Sequence, residues 1–441
     1  MALFSSIARG IFPTLSDIDA IRLFGISFEL ELRWLKNATP TVESNKSTTI
    51  GAFGNNGVTP SHVLYGFDFP EVNRTLVSML ALKWLMAEDY ETFTCCQSPL
   101  TKLRPESFQR LNILLIESCP GPEAIYALLI AIVVNDLGKN DDLATLVKNI
   151  TGQTFQNHDN VVYAAAKEHF FPSLEAIDPS LRSDLLVGLE FGSKLNIAQF
   201  AQAESVTVSL KSALIMSGKD RAFAIKFMEV ILDVAGASGH VDARCAAQMT
   251  EPVFQTYLVV HEALLDIIGR RISPREGYDR VLFARERLLQ EAGFKKSLSI
   301  NVPADRALVR LMTMGRVAEK ERADCFARAF ENLAAETRQS LVDALNVDGI
   351  DGETTILYSY APALISVALK NAEEHGTEHQ VLVLGALMRF LARIYDSEKL
   401  HPRQKSDVTE INLSFAQETV KSDEFSRDPR LLDDLSIPFQ V

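Results

Sequence analysis

Residues 125–150, IYALLIAIVVNDLGKNDDLATLVKNI, constrain this chain more than any other stretch. The apolar run 127–134 reads as a buried helix, too short to cross a membrane. It ends abruptly in Asn135-Asp136-Leu137-Gly138-Lys139-Asn140-Asp141-Asp142. Polar groups at the end of a buried segment must be hydrogen-bonded, ion-paired or metal-bound, because leaving one bare costs roughly 2–7 kcal/mol. The cluster is therefore the first candidate for a site. At helical spacing Asp136 faces Lys139 and Asn140, and Asp141 and Asp142 lie a turn or more further on. Such a mouth of carboxylates suits magnesium, which takes few protein carboxylates and fills its shell with water and phosphate oxygens. The competing reading is a helix end near Gly138 and a turn, with Asp141 and Asp142 capping the next helix.

With 441 residues, 47% of them hydrophobic, the chain can bury a large core. Its net charge of −13 argues against nucleic acid or anionic lipid as a partner, so an anionic substrate needs a metal or a local Arg/Lys cluster. Helical spacing recurs over 16–37, with Ser16 and Asp17 as cap candidates, and over 70–87, 105–117, 120–136, 142–150, 158–170, 180–204, 206–216 and 221–235. It continues over 240–268, with a kink expected at Pro252, and over 275–292, 305–345, 354–374 and 378–396. Residues 38–66 read as a surface loop, and strand character is confined to short pieces such as 298–302. The expected fold is all-α: a single large helical bundle-like domain over 1–400 and a polar tail over 401–441, packed on the body or disordered. A division near residues 297–303 is the alternative. Five cysteines without CxxC spacing point to a reducing, cytoplasmic setting, and the neighbours Cys95 and Cys96 suit neither an ordinary disulfide nor a zinc pair. No signal peptide or membrane span is expected.

Other constellations each have a plainer reading. His240, Arg244 and Gln248 share a face at a spacing of four, with Asp242 off it. They could hold a second metal or a diphosphate, or simply begin a helix. His158 and Asp159 open a helix, where capping explains them. Glu190, Asn196, Gln199 and Glu204 read as an exposed stripe, and Arg280, Arg285, Arg287, Arg306 and Arg310 as a solvated face. Nucleophile elbows, phosphate-binding glycine loops and zinc-protease signatures are absent from the sequence.

Two resemblances follow from these residues. Val134-Asn135-Asp136-Leu137-Gly138-Lys139 resembles the His-Asp-(Leu/Ile)-Gly-Lys heart of HD-domain metal phosphohydrolases, which are also all-α, with Asn135 in place of the histidine. That family needs an upstream histidine, and only His62 precedes the motif. The whole-chain pattern, with Asn135-Asp136…Asp141-Asp142 and the block 239–251, resembles a small group of fungal sesquiterpene cyclases of non-standard sequence. An ordinary class I cyclase would show Asp-Asp-x-x-Asp; here Asp136 precedes Asp141-Asp142. This second resemblance implies a magnesium-dependent lyase turning a small-molecule isoprenyl diphosphate, farnesyl diphosphate, into a cyclic, humulene-like sesquiterpene. Asp136 would be the main metal ligand, shared with Asp141 and Asp142 and flanked by Asn135. Lys139, Arg244, His240 and Gln248 would hold diphosphate. Tyr126, Phe191, Phe200, Phe254 and Tyr257 would wall an apolar cavity that stabilises a carbocation. A helical binding or scaffold protein is the third possibility.

Overall fold

A computed structural model describes residues 2–38, 58–155, 157–350, 353–400 and 408–437, with the side chains of 399 and 400 set aside. The fold is all-α, as the periodicity implies, and its described strands are β1 (Thr355–Ser359) and β2 (Val408–Asn412). They pair in parallel, Thr355 opposite Val408 and Ser359 opposite Asn412. Two compact units emerge, unit 1 from Met1–Ile197 and Leu214–Tyr257, unit 2 from Ala198–Ala213 and Leu258–Val441. The chain does not divide at 297–303. Among the described residues no single helix is long and apolar enough to cross a membrane; the helices Pro105–Ser118 and Pro122–Lys139, bent by 106°, reach that length only as a pair.

Unit 1 is built on the helix Pro70–Met86, whose residues from Glu71 to Leu85 are buried apart from Arg74. Proline at its start costs nothing, since the first N–H of a helix has no partner inside it. The same device opens Pro105–Ser118 and Pro122–Val134. Pro122–Val134 is buried from Ala127 to Val134 without a break, and each Leu, Ile or Val placed there contributes about 1.5–3 kcal/mol. Helix Asp220–Gly236 packs along both Pro70–Met86 and Pro122–Val134. Small residues make this approach possible: a Cβ on Gly236 would sit 2.2 Å from Ser78 Oγ, and one on Gly239 would sit 2.7 Å from the Asn73 carbonyl. The helices His158–Lys167 and Pro179–Lys194 complete the packing around them.

Unit 2 holds the helices from Pro274 onward, together with β1 and β2. Its polar core differs from the sequence expectation. Arg285, Arg306 and Arg310 are buried, while only Arg280 and Arg287 stay on the surface. Arg310 donates to the carbonyls of Ala203, Ser205 and Leu345, and Arg306 to Asp279, Leu345 and Asn346. Both guanidiniums lie 5.5 Å from the centre of the Tyr278 ring. A long buried side chain with five donors can serve several loop carbonyls at once, which periodicity alone does not reveal.

Several boundaries also differ. The span 305–345 is three helices, Pro303–Met314, Lys320–Glu331 and Ala335–Asn346, and 354–374 begins as β1 before the helix Ala361–Ala372. Residues 240–250 are turns, so the helix begins at Glu251 and Pro252 lies in its first turn rather than at a kink. Most of the expected loop 38–66 lies outside the described residues, although Pro60–Tyr65, with His62, is helical. The described part of the tail, 408–437, packs: Leu413, Ala416, Val420, Phe425 and Leu432 are fully buried.

Candidate functional site

Each letter of the motif Asp136-Leu137-Gly138-Lys139 has a physical role in unit 1. The Pro122–Val134 helix ends at Asn135, half-buried at its C-cap, and a tight turn, Leu137–Lys139, follows. Leu137 is wholly buried. Gly138 lies so close to the start of the helix His158–Lys167 that a Cβ would stand 2.0 Å from the His158 carbonyl oxygen. Asn140 caps the helix Asp141–Thr151, accepting from Leu143 N at 2.9 Å and donating to the Trp34 carbonyl at 2.8 Å. Asp141 and Asp142 are therefore exposed first-turn residues, placed to face the helix dipole. Among the described residues they do not join Asp136 in a group of carboxylates close enough to share an ion.

Asp136 instead meets groups from other helices. Lys139 Nζ lies 2.8 Å from Asp136 Oδ1 and 2.8 Å from Glu71 Oε2, joining the motif to the Pro70–Met86 helix. Arg74 donates to both oxygens of Glu71 at 3.1 and 3.2 Å. His158 Nε2 stands 3.9 Å from Asp136 Oδ1 and 3.4 Å from Asp159 Oδ1. Asn157, not His158 or Asp159, caps that helix, which leaves both free to face the cluster. On the Asp220–Gly236 helix, Lys226 and Glu229 form an ion pair at 2.5 Å, with Asp233 one turn further on. Asp233 also feels Asp136, Arg74 and Lys139.

Burial works against the charge on Asp136, but Lys139 and then Arg74 hold its carboxyl well below the usual carboxylate range. Against the same burial, Asp136 and then Glu71 keep Lys139 protonated. Glu229 is pushed up to about 7 by burial, which Lys226 only partly offsets. Burial, then the nearby Asp136, raises Asp233. The linked group thus contains five carboxylates (Glu71, Asp136, Asp159, Glu229, Asp233) and three cations (Arg74, Lys139, Lys226), and burial opposes the charge on Glu229 and Asp233. Arg74 Nε, Glu229 Oε1 and His240 Nδ1 are buried without a hydrogen-bond partner. Buried polar atoms of this kind leave hydrogen-bonding capacity unused beside the ion pairs. A cavity of about 10 Å³, lined by Val134, Gly188, Lys226 and Glu229 among others, adjoins the cluster and holds roughly one water.

The other expected residues are dispersed. His240 does reach the cluster, and burial, then Arg74, lowers its pKa. Arg244 is exposed and held by Asp242 in a two-bond fork of 2.9 and 2.6 Å. Gln248 donates to Ser238 Oγ at 2.5 Å. The shared helical face expected for His240, Arg244 and Gln248 does not form, because these residues occupy turns. Tyr126 packs on the rings of Phe4 and Phe28, and Tyr257 on Phe227. Phe191 and Phe254 are core residues of unit 1, whereas Phe200 pairs with Tyr278 in unit 2. These aromatics fill separate parts of the core.

Glu71, Arg74, Lys226, Glu229 and Asp233 were missed from the sequence. A signal existed for three of them, since Lys226, Glu229 and Asp233 share one face of the helix Asp220–Gly236 at spacings of three and four.

The model of a family of unknown function, DUF6829, matches residues 21–432. The chain belongs to that family. No curated protein and no solved structure matches it.

Proposed function

We propose that this protein is a metal-dependent phosphohydrolase of the HD type, acting on a phosphate ester at the cluster around Asp136. One observation carries the reading. The Asp-Leu-Gly-Lys motif converges with His158 at the start of the helix His158–Lys167 and with Glu71 and Arg74 of an upstream helix, in a buried group with more carboxylates than cations. The available donors, carboxylates and imidazole, suit magnesium or manganese. Asp136, with His158 Nε2 3.9 Å from it, would hold the ion. When bound, it would offset phosphate charge and lower the pKa of a coordinated water.

The remaining work falls to the chain. Arg74 and Lys139 are the cations placed to hold phosphate oxygens, although each now answers a carboxylate. Glu229, at about 7, can take or return a proton near neutral pH. Asn135 replaces the motif histidine, and Glu71 with Arg74 contributes from upstream where the family uses a histidine. His62 belongs to a different helix, Pro60–Tyr65.

The test is phosphate release by the full-length protein from a panel of nucleotides with Mn²⁺ or Mg²⁺, beside folded Asp136→Asn. Metal-dependent release that the variant lacks supports the reading; no release with either ion overturns it. Farnesyl diphosphate belongs in the same panel. Hydrocarbon in the headspace would restore the cyclase expectation, which among its metal ligands retains Asp136 but not the exposed Asp141 and Asp142.

A further inference from the structure

A second cluster in unit 1 lies outside the Asp136 network. Cys95, Cys96 and Cys245 bring their sulfur atoms within 4.8 Å of one another, although 149 residues separate Cys96 from Cys245 (245 − 96). The Cys95 and Cys96 sulfurs are 3.4 Å apart, and Cys95 Sγ lies 3.6 Å from the Arg244 carbonyl. All three are free thiols, with Cys95 exposed and Cys245 buried. The neighbours Cys95 and Cys96 gain from the fold a third partner that their spacing did not suggest.

The two chain segments are fastened to each other. Ala246 N donates to the Phe93 carbonyl at 3.0 Å, and Gln97 Nε2 donates to the carbonyls of Ala246 and Met249 at 2.7 and 3.1 Å. Gln97 Oε1 in turn accepts from Leu103 N. With Ala243, Cys245 and Ala246 fully buried, the sulfurs stand on a backbone frame rather than on mobile side chains.

We propose that Cys95, Cys96 and Cys245 form a binding site for a thiophilic d10 cation, zinc above all, held by three thiolates. Three sulfurs each about 2.3 Å from a tetrahedral zinc stand about 3.8 Å apart, a separation compatible with the spacing found here. A disulfide needs about 2.05 Å and joins only two of them. Zinc with three thiolates carries one negative charge. Arg244, whose guanidinium interacts electrostatically with Cys95 and Cys96, stands beside it to offset that charge. Asp242 accepts a hydrogen bond from Cys96 and is already forked by Arg244, so the fourth position falls to solvent, reachable past the exposed Cys95. Burial pushes Cys245 up to about 11 and Cys96 higher still, so these two thiols are protonated at neutral pH without the metal. Binding replaces those protons: each sulfur forms a bond to the ion, and up to three protons pass to solvent.

The experiment uses reduced, full-length protein titrated with Co²⁺, which reports thiolate ligation by near-ultraviolet charge transfer and tetrahedral geometry by visible d–d bands. The expected result is one equivalent of Co²⁺ bound with both signatures and with release of protons, then displaced by Zn²⁺ with loss of both signatures. Cys245→Ser should cut the charge-transfer intensity by about a third and weaken Zn²⁺ binding by roughly tenfold or more. Cys95→Ser, at an exposed position, gives the same reading if Cys245→Ser does not fold, and Cys119→Ser should leave the spectrum unchanged. No charge-transfer band, a band indifferent to both cluster variants, or a disulfide among the three cysteines before any added oxidant would each overturn the proposal.

Discussion

Both units bury charge, but they satisfy it differently. In unit 2, Arg306 and Arg310 spend most of their donors on loop carbonyls and on Asp279 and Asn346. That arrangement ties backbone segments together, and the Arg306 Nη2 left without a hydrogen bond still stands 3.6 Å from the Asp348 carboxylate. In unit 1, ion pairs link most of the charged groups, yet the cluster holds more carboxylates than cations and three buried atoms without partners. Burial of charge alone therefore marks no site. An excess of charge, with unused hydrogen-bonding capacity beside it, does.

The largest expected effects set the two regions against each other. Asp136→Asn leaves Lys139 with Glu71 alone, and Arg310→Met strands the Ser205 carbonyl; each should cost about 3–5 kcal/mol, the range for breaking a buried ionic or hydrogen-bonded network. Only Asp136→Asn should also abolish a stabilisation by Mn²⁺. Trp34 and Trp84, the only tryptophans, both lie in unit 1, so tryptophan fluorescence follows that unit while circular dichroism follows the whole chain. Equal loss of the Mn²⁺ effect in both variants would erase the distinction drawn between the units.

Glu229 in unit 1 and Glu204 in unit 2 are both pushed up to about 7, in each case chiefly by burial. Between the ordinary glutamate value of 4.5 and about 7, the folded chain holds protons that the unfolded chain has released. Stability should therefore fall as pH rises through that window, on the order of 1 kcal/mol per pH unit for each group. Asp136, with its lowered pKa, acts in the opposite sense and only in more acid solution. Glu229→Gln should remove its share of the slope and leave that of Glu204. Bound Mn²⁺ should likewise flatten the unit 1 share alone. Denaturant midpoints measured from pH 4.5 to 7.5 decide this, and an unchanged slope in Glu229→Gln would refute it.

Smaller costs attach to the glycines that let the helices meet. Gly138→Ala and Gly236→Ala should each destabilise unit 1 by about 1–3 kcal/mol through overpacking, visible in tryptophan fluorescence. Least of all, Asp142→Asn should cost a few tenths of a kcal/mol through the helix dipole. It should leave any Mn²⁺ shift in melting temperature intact; loss of that shift would return Asp142 to the metal site.

The all-α class, the proline-opened helices and the buried position of Asp136 were legible in the sequence, because periodicity and capping are local. The partners of Asp136 were not, since Glu71 and Asp233 reach it from helices remote in sequence. The block after residue 239 misled because Gly239 reads as a break before a new helix from His240, while its real task is close approach to Asn73. β1 escaped for a related reason: Thr355–Ser359 becomes a strand only by pairing with β2, far along the chain. The three-cysteine cluster was illegible too, as its third member comes from a distant turn.

Unit 1 is interrupted in sequence: residues 198–213 belong to unit 2, and Lys226, Glu229 and Asp233 come afterwards. On a ribosome, Glu71, Arg74, Asp136, Lys139 and His158 are all made before the helix that completes their surroundings. Until Gly236 and Gly239 have emerged, the nascent chain exposes the Ser78 and Asn73 surface that those glycines later cover. A chain stalled before that point would carry the whole Asp-Leu-Gly-Lys motif and still lack the wall that closes over it.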